Sequence, residues 1–144
     1  MSRKSARELA FKVIFASNFQ NEELSPEDMM DNLLNETEKM EEVTKEDMSY
    51  IKDVTHGVYE NAVELDEQIK SHLKGWTMDR ICKTDLAILR LAIYEILYRD
   101  DIPYKVSVNE AVELAKSFSE ENSPSFINGV LAGIISGNLE DIDE

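Results

Sequence analysis

Apolar residues recur along this chain at intervals of three and four, and the gaps between runs hold residues that start and stop helices. From Ala6 to Phe19, the positions Ala6, Leu9, Ala10, Val13, Ile14 and Phe15 share one helical face. Ser25-Pro26 predicts a second start, a hydroxyl cap followed by proline at the first helical position, with Glu27 and Asp28 near the positive end of the helix dipole. Thr44 and Asp47, a relative of the capping box, open a longer run through Met48, Ile51, Val54, Val58, Ala62, Leu65, Ile69 and Leu73. A run of that length is expected to break near Gly57 or Leu65.

Thr84 is read as the cap of the most apolar segment, Leu86 to Leu97, which has so little polar face that other helices must surround it. Arg90, Tyr94 and Glu95 are the exceptions on it, with Arg90 and Glu95 expected to pair with groups on neighbouring helices. Asp100 to Pro103 stops this helix, because the residue before a proline is pushed toward extended geometry. Ser107 with Glu110 spells an S-x-x-E capping box, and Ser123-Pro124 repeats the serine-proline start. Asn128-Gly129 is read as a close approach between helices. The pattern predicts an all-α fold, a compact bundle of six or seven helices. One domain is expected over residues 1–137, with an acidic, frayed tail over 138–144.

Charge adds a polarity that the helical pattern does not show. The whole chain carries 15 bases against 30 acids, a net charge of −15, yet its opening dozen residues hold Arg3, Lys4, Arg7 and Lys12 against Glu8 alone. Such asymmetry speaks to partners rather than to fold and points to a polyanion met locally by a basic patch. On a helix Arg3 and Arg7 stack on one face, with Lys4 beside them and Ser5 offering a hydroxyl to phosphate. Phe15 reads equally as a core aromatic or as a ring on which an unpaired base stacks. A second basic stretch runs from Lys70 to Arg99. Four phosphate contacts on single-stranded RNA would give a salt slope of about −2.8, which is weak binding without a partner. Composition alone leaves an RNA patch and a merely solubilising terminal helix level.

Bond-making chemistry finds little support. His56 and His72 belong to no zinc-binding spacing, and Cys82 has no second cysteine with which to pair. A Gly-rich phosphate loop and a nucleophile elbow are both missing, and adjacent acids such as Glu41-Glu42 read as a solvated face. No catalytic residue, cofactor or metal is therefore expected. The apolar stretches are too short and too charged to span a bilayer, and no signal-peptide pattern follows the basic start. A cytoplasmic, non-membrane protein is expected.

Several pieces read in order carry a resemblance. Ser5-Ala-Arg-Glu-Leu-Ala10, Trp76 with Arg80, Ile88-Leu-Arg-Leu-Ala-Ile-Tyr-Glu-Ile96, Ile102-Pro-Tyr-Lys-Val106, Val108-Asn-Glu-Ala-Val-Glu-Leu-Ala-Lys-Ser-Phe118 and Phe126-Ile-Asn-Gly-Val-Leu131 together resemble the NusB family of transcription antitermination factors. The resemblance implies two helical sub-bundles and a non-enzymatic protein that binds boxA RNA of ribosomal RNA leaders. It implies NusE, a small-subunit ribosomal protein, as co-binder, with other Nus factors and RNA polymerase as further partners. Some family members self-associate, so a homodimer is within its scope. By this likeness Arg3, Lys4, Arg7, Phe15 and Asn122 are the RNA-binding residues, while Asp85 and Phe126 fall where NusE is met. Two departures stand out: Lys4 and Ser5 dilute the arginine run, and Phe15 stands where the family commonly has a tyrosine. A protein-only helical adaptor and a module related to the N-terminal domain of RNA cytosine methyltransferases are the alternatives.

Overall fold

In the computed structural model, which describes residues 1–19, 23–75 and 77–138, every regular element is helical. The elements are α1 (Arg3–Ser17), α2 (Pro26–Glu38), α3 (Lys45–Glu60), α4 (Ala62–Lys70), a 3-10 turn (Met78–Arg80), α5 (Lys83–Tyr98), α6 (Tyr104–Phe118) and α7 (Ser123–Asn138). Trp76 and residues 139–144 of the acidic tail lie outside the described set. The chain divides into two compact units, Met1–Glu60 and Asn61–Glu144.

Two of the predicted helix starts form as read. Ser25 Oγ accepts the Asp28 N–H at 3.1 Å, with Pro26 in the first turn. At α3 the box is reciprocal, since Thr44 Oγ1 accepts the Asp47 N–H at 3.1 Å and Asp47 Oδ2 accepts the Thr44 N–H at 2.9 Å. That backbone bond to Thr44 is the main reason the Asp47 carboxyl sits below its ordinary range; desolvation opposes the shift, while the Thr44 hydroxyl and the Met1 amino group assist it.

Three other starts differ from the reading. Helix α5 begins at Lys83 after Cys82, so Thr84 lies inside its first turn. Helix α6 begins at Tyr104 after Pro103, whose φ of −59° is already helical, and this places Ser107 within the helix. The Ser107 hydroxyl donates to Glu95 Oε1 at 2.8 Å rather than capping α6. Ser123 opens α7, but its hydroxyl goes to Asp85. In both serines a buried carboxylate has outcompeted the local backbone, as a charged acceptor makes the stronger bond.

The long run breaks at Asn61, between the two glycine and leucine positions expected to interrupt it. Asn61 adopts φ −108° and ψ 19°, in the sparsely populated bridge region, while Gly57 and Leu65 remain helical and buried. This break is also the boundary between the two units.

In the first unit α1 packs on α2 and α3, and α2 packs on α3. Into this packing α1 buries Ala6, Ala10, Phe11 and Ile14, α2 buries Met30 and Leu34, and α3 buries Ile51, Val54 and Val58. Fully burying a side chain such as Ile51 contributes about 1.5–3 kcal/mol. In the second unit α5 packs against α4, α6 and α7, as its all-round apolar surface requires. Arg90 leaves that apolar helix through a bidentate pair with Asp66 of α4, both contacts being 2.8 Å. The close approach expected at Gly129 occurs at Gly133 instead. A Cβ at Gly133 would come within 2.6 Å of His72 Cδ2, whereas one at Gly129 meets nothing within 4 Å.

Candidate nucleic-acid interface

The basic opening becomes the first turn of α1 because Ser2 caps it, its Oγ accepting the Ser5 N–H at 3.1 Å. The Ser2 hydroxyl in turn donates to Ser5 Oγ at 3.1 Å, so the hydroxyl read as a phosphate donor is already part of the cap. No acidic residue occupies this first turn. Backbone N–H groups, the positive end of the dipole and the side chains of Arg3 and Lys4 thus share one sign at one end of the helix, the arrangement that favours an anion.

The four opening bases are not equivalent. Arg3, Lys4 and Lys12 are exposed, but Arg7 is only 4% exposed. One helical turn after Arg3, and flanked by the buried Ala6 and Ala10, it lies on the face that packs against α3. There the ring of Tyr50 receives both guanidinium groups, with Arg3 Cζ 4.4 Å and Arg7 Cζ 5.7 Å from its centroid. Tyr50 is not among the sequence-predicted site residues; its only sequence signal is a spacing of four from Val54 on the buried face.

Phe15 is half-buried in an aromatic ladder. Its ring lies 6.1 Å from Phe11 and 4.9 Å from Phe19, the latter edge-on. Phe11 closes the ladder inside the unit, whereas Phe19 is 44% exposed. The ring most open to a stacking base is therefore Phe19, for which the 11-15-19 spacing was the sequence signal.

The remaining site residues belong to the second unit. Asn122 is exposed just before α7, and its carbonyl accepts the Phe126 N–H at 3.2 Å. Asp85 is buried and takes hydroxyls from Ser119 at 2.6 Å and Ser123 at 2.9 Å, one on each oxygen. It therefore ties the start of α5 to both ends of the loop that carries Asn122. Phe126 is half-buried and lines a groove of about 310 Å³ with His72, Leu73, Lys74 and Val130. The second basic stretch is partly neutralised. Besides Arg90 with Asp66, Arg99 makes a bidentate pair with Asp101 at 3.0 and 2.8 Å, while Lys74, Arg80 and Lys83 are exposed.

Among the described residues, no group of three or more His, Cys, Asp or Glu is arranged to hold a metal ion. Also among them, no helix is long and apolar enough to cross a membrane. What the arrangement presents is a cationic helix end beside aromatic rings.

A family model described as the NusB family matches residues 4–136. The chain belongs to the NusB family. The transcription antitermination protein NusB of Acetivibrio thermocellus is 45% identical over 143 residues, which is 99% of this chain and 94% of that protein. The solved structure of T. maritima NusB superposes with a TM-score of 0.82 at 32% identity, covering 94% of this chain and 92% of its own. A chain from the crystal structure of antitermination factors NusB and NusE in complex with dsRNA has the same fold, with a TM-score of 0.78 at 24% identity over 94% of this chain and 96% of its own. The NusB-family match takes in Lys4, Arg7, Phe15, Asp85, Asn122 and Phe126, and Arg3 stands immediately before it.

Proposed function

We propose that this protein is a cytoplasmic transcription antitermination factor that binds boxA RNA of ribosomal RNA leaders jointly with NusE. It acts by positioning RNA on the elongating polymerase with other Nus factors, and it performs no bond chemistry. The observation that carries this reading is the capped, acid-free first turn of α1, which presents exposed Arg3 and Lys4 in a chain of the NusB family. The Acetivibrio thermocellus relative is a transcription antitermination protein, and a protein of the same fold was solved with NusE and dsRNA.

Residues 1–137 serve in this reading as one NusB-like module. Arg3 and Lys4 contact phosphate, Arg7 supports them from the interior, and Phe15 with its neighbour Phe19 supplies ring surface for unpaired bases. Asn122 adds a polar contact from the loop before α7. Phe126, with the groove it lines, and the loop held by Asp85 form the NusE surface.

Two exposed cations set a limit on affinity. With two phosphate contacts on single-stranded RNA the salt slope is about −1.4, a roughly sevenfold loss between 50 and 200 mM salt. Tight, sequence-selective binding must then come from the joint surface with NusE. The test is a titration of boxA RNA and a scrambled control, each with and without NusE. Selective binding of boxA that tightens with NusE is expected, and equal affinity for both RNAs in the presence of NusE would overturn the proposal. Salt-independent or undetectable RNA binding would instead favour the protein-only adaptor.

A further inference from the structure

We infer that Tyr50 is a positioning residue for RNA binding, its ring holding the Arg3 guanidinium in place at the head of α1; this rests on the reading of Arg3 as a phosphate contact. The starting point is an electrostatic conflict within the sequence. Arg3 and Lys4 stand in the first turn of a helix, where the dipole disfavours cations, and no acid in that turn offsets it. Arg3 is also exposed, on a long side chain with much rotamer freedom to lose when it grips a ligand.

The ring of Tyr50 answers both problems. It presents a π face of negative potential 4.4 Å from Arg3 Cζ, well inside the range of a cation–π contact. Tyr50 is itself 2% exposed and is carried on α3, so the platform is rigid and comes from a different helix than the cation it holds. The contact is made at Cζ, over the ring, and the N–H donors that bind phosphate oxygens in pairs radiate from that carbon in the plane of the guanidinium. Arg7 Cζ lies 5.7 Å from the same ring, with its side chain buried, so Arg7 fills the inner part of this contact and Arg3 the outer. Both guanidinium contacts are made to the ring of Tyr50.

The experiment varies the ring's electrostatics at nearly constant volume. Tyr50 is replaced site-specifically by phenylalanine and by mono-, tri- and pentafluorophenylalanine, in the full chain, with Arg3 present or changed to alanine. Affinity for boxA RNA with NusE, helix content and the NMR shifts of the Arg3 side chain are read. Tyr50→Phe should keep affinity within about twofold, and fluorination should weaken it stepwise to roughly two- to fivefold with helix content unchanged. The ring-current shift of Arg3 should fade in the same order, and the fluorination effect on RNA should vanish in the Arg3→Ala background. Should the pentafluoro chain fold poorly, the mono- and trifluoro steps carry the same graded comparison. Fluorination that leaves RNA affinity unchanged, while Arg3→Ala weakens it, overturns the role of Tyr50. An equal effect of fluorination with and without Arg3 also overturns it, assigning the ring to packing alone. Unchanged affinity in Arg3→Ala itself overturns the underlying reading of Arg3 as an RNA contact.

Discussion

Asp85 and Ser123 meet at 2.9 Å across α5 and α7, the serine hydroxyl donating to one carboxylate oxygen while Ser119 donates to the other at 2.6 Å. A buried carboxylate is tolerated here because each oxygen has a hydroxyl partner. Asp85→Ala removes the acceptor of both hydroxyls, leaving Ser119 and Ser123 to pair with each other at 2.9 Å, and should destabilise the protein by about 1–3 kcal/mol in urea titration. Asp85→Asn keeps one acceptor and should cost less. If the Asp85→Ala chain unfolds at the wild-type midpoint, the network is not a stability element.

The glycines of α7 make opposite demands. Gly133→Ala drives a methyl into His72, whose ring is held by a 2.9 Å contact between Nδ1 and the Gln68 carbonyl. Thermal unfolding should show a loss of about 1–3 kcal/mol. Gly129→Ala meets open space on an exposed helical face and should stabilise by about 0.5–1 kcal/mol. A reversed order of the two variants would show that the His72 ring moves aside freely.

Acid should weaken the α3 cap. The Asp47 carboxyl is held below its ordinary value of 3.8, chiefly by the Thr44 backbone N–H. A depressed carboxylate contributes stability above the unfolded-state value and loses it as pH falls through the folded-state value. The melting temperatures of wild type and Asp47→Asn should therefore differ at pH 6 and converge as pH falls below 3.8. A constant gap across that range would remove Asp47 from the acid response.

Burial separates the two arginines of the basic opening. Arg7→Ala should lower the melting temperature, corresponding to about 1–3 kcal/mol, because it empties a packed position against Tyr50. Arg3→Ala and Lys4→Ala should leave stability within about 0.5 kcal/mol and reduce the magnitude of the RNA salt slope by about 0.7 each. Salt-dependent RNA titration beside thermal melts checks both. An Arg7→Ala chain of normal stability but weakened RNA binding would make Arg7 a direct contact.

Much of the architecture was legible because helix signals are local. The Ser25-Pro26 start and the Thr44-Asp47 box use partners three residues apart, and they form as the chain spells them. The environments of Ser107, Ser123 and Arg7 are not legible in the sequence, for one shared reason. Each carries a polar group whose best partner lies on another helix: Glu95 for Ser107, Asp85 for Ser123 and the ring of Tyr50 for Arg7. No spacing within a single segment announces such a partner.

The sequence by itself determined the all-helical class, the central place of the apolar segment that became α5, the cationic opening on an acidic chain and the family likeness. Each of these depends on residue identity and short-range periodicity. Tertiary structure decided which bases face solvent, which ring holds them, where the long run breaks and which glycine admits a neighbour. Those depend on desolvation and on distances between helices remote in sequence, and only packing assigns a group to water or to the interior. Arg3 and Arg7 share one helical face four residues apart, yet one is exposed and the other is buried against α3.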